Sequence, residues 1–190
     1  VANHATGCDA VVIAMSFDTG MLGARELLPI PVVGIMEASL VTACMLGGRF
    51  GLVALARRIA PIYREIVEAY GLGRRLAGLR VVDAGAQAYG PGTHAEIEAR
   101  YAAAARDLVE EDGAEVVILA GSIMAGVPRR VQPEVPVPVI EGISCGVLQA
   151  EALVRLGAAK PKVGSFAGLA SDRRAVGVDP GLAAFFKGGS

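Results

Sequence analysis

An internal repeat constrains this sequence more than any other feature. Residues 9–43 and residues 114–146 carry the same parts in the same order. Each copy has an acidic residue beside a β-branched run, then a loop of small and polar residues, then a second short apolar run after a proline. Such short apolar runs are typical of strands buried on both faces of a parallel sheet. The repeat therefore predicts an α/β fold with two pseudo-symmetric lobes.

The loop after the first strand of each copy is where we expect a ligand. Ligands of parallel sheets bind beyond the carboxyl ends of the strands. The two loops are residues 15–20 and 121–126, and the repeat predicts that they face each other across one cleft. A structure with Ser16 and Ser122 on opposite faces of the molecule would contradict this prediction.

Strands alternate with helices along the rest of the chain, which favours mainly parallel sheets. We interpret residues 1–160 as one α/β domain of two lobes, and residues 161–190, where the pattern fades, as a C-terminal extension. Residues 1–7 resemble the end of a helix, so we expect the first strand of the fold to be missing. The patterns predict strands at 9–15, 31–35, 49–55, 79–83, 114–120 and 137–140, and helices at 21–28, 37–46, 61–70, 93–111 and 144–156.

Composition excludes several classes of function. Hydrophobic residues make up 53% and charged residues 19%, enough for a packed core, and the net charge of -1 without a basic stripe argues against nucleic acid as a partner. No long uncharged apolar run predicts a membrane span. Cys8, Cys44 and Cys145 have unrelated spacings that suggest neither disulfides nor a zinc site. With no signal peptide visible, we expect a cytoplasmic protein.

Several blocks of the sequence resemble the aspartate/glutamate/hydantoin racemase superfamily, most closely its hydantoin (allantoin) racemase branch. From Asp9 to Leu156 they read DAVVIA, then IPVVGIMEA, LGGRFGLV, EEDGAEVVIL, MAG and VPVIEG. The resemblance implies two pseudo-symmetric α/β lobes with the active site between them. It also implies chemistry that needs neither a metal nor a cofactor.

The resemblance implies one cysteine in each of the two loops. One thiolate would remove the proton α to a carbonyl, and the other thiol would reprotonate the opposite face. At these positions the sequence has Met15 and Gly121. Neither residue can exchange a proton, so we expect no two-thiol racemisation. The sequence also lacks the opening strand and Asn-rich loop of the family.

Cys145, Asp18 and Ser122 are the candidate catalytic residues. Cys145 begins the helix after the last strand, where outward N–H groups would lower the pKa of a thiol; alternatively it is an inert core cysteine. Asp18 is either a general base or a residue that bonds its own loop backbone.

Candidates for substrate binding lie in both loops and at two helix starts. Hydroxyls and N–H groups at strand ends can hold a carboxylate or an enediolate, although Ser and Thr are also ordinary turn residues. Glu37 either faces the cleft or complements the dipole of its helix. The set is Ser16, Phe17, Thr19, Glu37, Gly121, Ile123 and Ser144.

These observations favour a cofactor-independent enzyme that acts at the α-carbon of a small carboxylate or a hydantoin-like compound through a stabilised enolate. Isomerisation, decarboxylation and ring-opening hydrolysis remain open, as does a non-catalytic protein that binds a small molecule in a degenerate site. An unpaired strand edge and the apolar residues 182–186 predict a homo-oligomer. Fast labelling of Cys145 that a ligand prevents would favour catalysis.

Overall fold

The computed structural model describes residues 4–83, 94–157, 159–167 and 177–178. The chain divides into two compact units. Unit 1 comprises the described parts of Val1–Ile13, Thr19–Val33 and Val147–Ser190. Unit 2 comprises the described parts of Ala14–Asp18 and Gly34–Gly146.

Unit 2 contains a sheet of four parallel strands with the order β4-β3-β5-β6. The central strands are wholly buried because they consist of apolar residues and one glycine. In their register Leu52 lies opposite Ile118. The prediction of an α/β fold with mainly parallel sheets is confirmed. The strands are β1 Val11–Ile13, β2 Val32–Gly34, β3 Phe50–Ala54, β4 Leu76–Val81, β5 Val116–Leu119 and β6 Val139–Glu141.

Successive side chains of β3 and β5 point to opposite faces of the sheet. The sheet therefore contributes to two hydrophobic clusters, and helices of unit 2 pack against both. Val53 belongs to the cluster that also contains Leu108. Leu52 belongs to the other cluster, with Leu40 and Tyr63. The helices of the chain are α1 Met21–Leu27, α2 Ile35–Leu46, α3 Ala60–Ala69, α4 His94–Glu110, α5 Pro128–Val131 and α6 Gly142–Leu156.

Unit 1 contains a two-stranded sheet of β1 and β2, together with α1 and most of α6. The Val11 N–H donates to the carbonyl oxygen of Pro31 at 2.9 Å. α1 begins after Gly20, whose φ of 78° is in the left-handed region that glycine adopts without strain. None of the described helices combines the length and the apolarity needed to cross a bilayer.

Several predicted boundaries are wrong. The fourth strand begins at Leu76 rather than at 79, because a 3-10 turn at Gly73–Arg75 brings Leu76 into register with Phe50. α2 and α6 begin two residues earlier than predicted, at Ile35 and Gly142, where carboxylates accept hydrogen bonds from their first turns. The short helix α5 was not predicted.

Other sequence predictions remain predictions. The predicted helix start at Thr93 lies outside the described residues. Of the proposed extension at 161–190, the structure describes 161–167 and 177–178. The missing first strand and the homo-oligomer also remain predictions.

Candidate functional site

A small cavity lies in unit 2, where the carboxyl end of β5 meets the first turns of α2 and α6. Its volume is about 10 Å³, which is room for roughly one water molecule. The helix starts are adjacent, since a Cβ added at Gly142 would lie 2.9 Å from the carbonyl oxygen of Ile35. The lining residues are Ser16, Ile35, Met36, Ser39, Ile118, Leu119, Ala120, Gly121 and Gly142.

This cavity brings together one residue from each loop of the repeat, Ser16 from the first and Gly121 from the second. The two loops therefore approach the same point, as the repeat predicts. The Gly121 backbone has a φ of 123°, and a Cβ there would lie 2.8 Å from Leu55 Cδ1. A side chain at position 121 would therefore be strained by the backbone and would have to displace Leu55.

The carboxylate of Asp18 closes the N-terminus of α2. One oxygen accepts from the Met36 N–H at 2.9 Å, and the other accepts from the Glu37 N–H at 2.8 Å. Helix N-termini leave such N–H groups without intrahelical partners and favour a negative charge. Asp18 therefore bonds the first turn of a helix that follows it by 18 residues, and these bonds do not support its assignment as a general base.

Tyr63 of α3 and Tyr70, the residue directly after this helix, hold the same loop in place. The Tyr70 hydroxyl donates to Asp18 at 2.7 Å, and the ring of Phe17 packs on Tyr63 with 5.3 Å between the ring centroids. Asp18 has a φ of 50°, a conformation that Asp and Asn adopt more readily than most residues. The loop carrying Ser16 is thus held by α2 and α3.

The carboxylate of Glu141 closes the N-terminus of α6. Its two oxygens accept from the Ile143 N–H at 2.6 Å and from the Ser144 N–H at 2.9 Å. Glu141 is only 2% exposed. Unlike Asp18, this carboxylate lies immediately before the helix that it caps.

The repeat places Gly34 where the second copy has Glu141, because each is the last residue of its strand. A Cβ added at Gly34 would lie 2.3 Å from the Cγ of Asp18. The carboxyl group of Asp18 therefore occupies the space beside Gly34 that a side chain at that position would need. The two copies use a carboxylate at equivalent helix starts but take it from different positions in the chain.

Cys145 does not have the lowered pKa that its helix position predicted. Burial raises the pKa of this thiol, a side-chain hydrogen bond from Thr42 acts in the opposite direction, and the charge of Glu141 raises it further. The expectation was wrong because burial and a neighbouring carboxylate outweigh the helix terminus. The thiol is buried and lies one turn along α6 from Gly142.

Of the predicted site residues, Ser16 and Gly121 line the cavity. Phe17 is half-buried and packs against the core beside Tyr63, and Glu37 is half-buried in the first turn of α2. Exposed residues of the set that do not line the cavity are Thr19, Ser122, Ile123 and Ser144.

The sequence reading missed three residues of this region. Ser39 lines the cavity and donates its hydroxyl to the Met36 carbonyl oxygen at 2.9 Å. Glu141 caps the start of α6. Tyr70 bonds to Asp18 in the loop that carries Ser16. A signal was available for Glu141, because the repeat pairs an acidic residue with Gly34 at the end of a strand. None was available for Tyr70, which follows Asp18 by 52 residues.

Comparisons with known proteins show the family of the chain. A model of the Asp/Glu/Hydantoin racemase family matches residues 1–150. The chain belongs to this family. The hydantoin racemase of Pseudomonas sp. (strain NS671) is 37% identical over 160 residues, which cover 84% of this chain and 64% of that protein. This racemase-family chain thus spans less than two thirds of the length of that relative.

Solved structures extend the similarity of this racemase-family chain to the fold. The allantoin racemase from Klebsiella pneumoniae superposes with a TM-score of 0.82 at 33% identity, over 97% of this chain and 74% of that one. The allantoin racemase from Pseudomonas fluorescens superposes with a TM-score of 0.77 at 31% identity, over 89% of this chain and 71% of that one.

Within the described residues, no three His, Cys, Asp or Glu side chains are grouped as metal ligands.

Proposed function

We propose that this chain carries both loops of a cofactor-independent enzyme that acts at the α-carbon of a hydantoin-like ring through a stabilised enolate. Its membership of the racemase family supports the class of reaction. The names of the similar proteins, hydantoin racemase and allantoin racemase, support a cyclic ureide as the substrate.

The observation that carries this proposal is the meeting of Ser16 and Gly121 on one cavity between the first turns of two helices. A hydantoin ring does not fit into about 10 Å³, but a single oxygen atom does. We therefore place the ring at the mouth of the cavity, with the carbonyl oxygen next to its α-carbon inside.

The reaction moves one proton off the α-carbon and another back. A base outside the cavity lining takes the α proton, the electron pair of the broken C–H bond forms the C=C bond of the enolate, and the carbonyl oxygen gains the negative charge. The Ser16 hydroxyl would donate a hydrogen bond to that oxygen, inside a cavity with room for roughly one water molecule. Reprotonation on the opposite face then gives the inverted product.

None of the described residues that line the cavity is ionisable. The base that takes the proton and the donor that returns one must therefore come from outside this set. Cys145 is one candidate for the donor, because it lies one turn along α6 from Gly142. Its raised pKa keeps the thiol protonated at neutral pH, which suits a proton donor better than a base.

The test is deuterium incorporation at the α-carbon of L-5-methylhydantoin in D2O, followed by NMR and compared with a buffer blank. We expect the chain to accelerate exchange, and Ser16→Ala to lower the rate at least tenfold, because one oxyanion donor contributes about 3 kcal/mol in other enzymes. Ser165→Ala, an exposed serine distant in sequence from both loops, is the control. Cys145→Ala shows whether the thiol takes part.

Each other outcome contradicts the proposal in a different way. Release of an N-carbamoyl amino acid would show ring-opening hydrolysis, and release of CO2 from a geminal diacid would show decarboxylation. Binding of the hydantoin without any exchange above the blank would show a non-catalytic binding protein.

A further inference from the structure

Ser39 is a buried serine that lines the cavity of unit 2. Apart from tyrosine and cysteine, the buried polar side chains among the described residues are those of Asp18, Ser39 and Glu141. The two carboxylates cap the starts of α2 and α6. Ser39 is only 1% exposed and lies inside α2, where alanine would favour the helix more and would bury no hydroxyl. Helix capping, which explains the two carboxylates, does not explain this serine.

The hydroxyl of Ser39 is not committed to its present hydrogen bond. It donates to the carbonyl oxygen of Met36 at 2.9 Å, and both residues line the cavity. In an α-helix each carbonyl also accepts from the N–H four residues further along, so the Met36 carbonyl has a second donor in Leu40 of α2. A serine hydroxyl has a single hydrogen and can turn it to another acceptor. Ser39 can therefore donate to a ligand without leaving the Met36 carbonyl unpaired.

N–H groups at the two helix starts are already used. At α2 the carboxylate of Asp18 accepts from the Met36 and Glu37 N–H groups. At α6 the carboxylate of Glu141 accepts from two N–H groups of the first turn in the same way. Such groups commonly stabilise a negative oxygen at a helix start. An oxygen in this cavity therefore needs other donors. Two serine hydroxyls belong to the described lining, and Ser16 supplies one of them.

We infer that Ser39 is a further catalytic residue, a second hydroxyl that donates to the enolate oxygen. The inference rests on the proposed function, which places that oxygen in the cavity. As the α C–H bond breaks, negative charge develops on the oxygen, and a hydrogen bond to a charged acceptor is stronger than one to the neutral carbonyl of Met36. The gain is largest in the transition state, so Ser39 acts on kcat more than on KM.

Binding of a ligand that is already an enolate tests this role without any reaction. Barbiturate is such an anion at neutral pH, and dihydrouracil is a neutral cyclic ureide with the same ring size. In a calorimetric titration of the intact chain of 190 residues, barbiturate should bind at least tenfold more tightly than dihydrouracil. Ser39→Ala should weaken barbiturate at least fivefold and leave the affinity for dihydrouracil within twofold. Ser165→Ala, which changes an exposed serine of unit 1, should alter neither affinity.

The deuterium-exchange assay with L-5-methylhydantoin gives the kinetic readout. Ser39→Ala should lower kcat at least fivefold and leave KM within twofold. Its urea midpoint should be unchanged or higher, because alanine is the better helix former. A lower urea midpoint, with both ligands weakened equally, would show that Ser39 is only structural and would overturn the inference.

Three further results would also overturn it. They are a chain that does not bind barbiturate, a chain that binds both ligands equally, and a kcat that Ser39→Ala leaves unchanged. Failure of the proposed function looks different. If the chain accelerates no exchange but binds barbiturate with the expected dependence on Ser39, the proposed reaction is wrong and Ser39 still stands as a donor to an enolate oxygen.

Discussion

The starts of α2 and α6 are equivalent in the repeat, yet they are capped in different ways. At α6 the carboxylate belongs to Glu141, the residue directly before the helix. At α2 that position is Gly34, and the carboxylate comes from Asp18 in the preceding loop. Each helix start therefore has a capping carboxylate, but the two carboxylates come from different positions of the repeat.

The difference has a consequence for the loops. Glu141 accepts hydrogen bonds from the first turn of the helix that directly follows it. Asp18 ties the loop that carries Ser16 to α2 and, through the hydroxyl of Tyr70, to the residue directly after α3. The position of Ser16 thus depends on the cap of α2. We expect substitutions that weaken this cap to disturb the first loop more than the second.

The largest effect is expected for Gly34→Ala. The added Cβ would lie 2.3 Å from the Cγ of Asp18, so the carboxyl group has to leave the helix start. Crowding and loss of the cap together should cost about 3 kcal/mol in the free energy of unfolding, measured with urea. Gly23→Ala is the control: nothing lies within 4 Å of its Cβ position in α1, and it should stabilise the chain by about 0.5–1 kcal/mol. A neutral Gly34→Ala would contradict the close packing of Asp18 on Gly34.

A smaller loss is expected for Asp18→Asn. Asparagine tolerates the same left-handed backbone, but its amide offers one acceptor oxygen where the carboxylate offers two. We expect a loss of about 2 kcal/mol and faster hydrogen exchange at the Met36 or the Glu37 N–H. Exchange rates that stay unchanged at both amides would show that Asp18 does not cap α2.

Tyr70→Phe should cost less, about 1 kcal/mol, because it removes one hydrogen bond and leaves the ring in place. The reporter is again the urea midpoint, together with hydrogen exchange in residues 15–18. The control is Tyr101→Phe, which also removes a tyrosine hydroxyl but lies on α4. If both variants loosened residues 15–18 equally, the effect would not come from the bond to Asp18.

Glu141→Gln changes a capping carboxylate in the same way as Asp18→Asn and should cost a similar ~2 kcal/mol. Its effect on the thiol of Cys145 is the smallest effect that we expect. The charge of Glu141 raises the pKa of this thiol, so its removal lowers the pKa and increases the thiolate fraction at a given pH. Labelling of Cys145 at pH 8 should become a few-fold faster, because this charge is a lesser cause than burial. The exposed Cys8 provides an internal control in the same sample. Slower labelling of Cys145 in this variant would contradict the direction of the effect.

Much of the fold could be predicted from the sequence because its signals are local. β3 and β5 are continuous apolar runs, and such runs indicate buried parallel strands whatever their partners. The meeting of the two loops followed from the repeat alone. The start of β4 was missed because it depends on a register with Phe50 that residues 79–83 do not reveal.

The candidate site was less predictable because its contacts join distant residues. Asp18 finds its partners 18 and 52 residues further along the chain, and no local pattern signals that distance. For Cys145 the helix position was read correctly, but the direction of its pKa depends on burial, which only the packed structure shows.

The most direct test of the comparison is to move the carboxylate from one position to the other. Gly34→Glu places it where the second copy has Glu141, and Asp18→Gly vacates the space while tolerating the φ of 50°. Each change alone should destabilise the chain. The double variant should be at least about 2 kcal/mol more stable than the sum of the single losses predicts, because the new side chain restores the cap of α2. Losses that simply add in this urea double-mutant cycle would contradict the claim that Asp18 does at α2 what Glu141 does at α6.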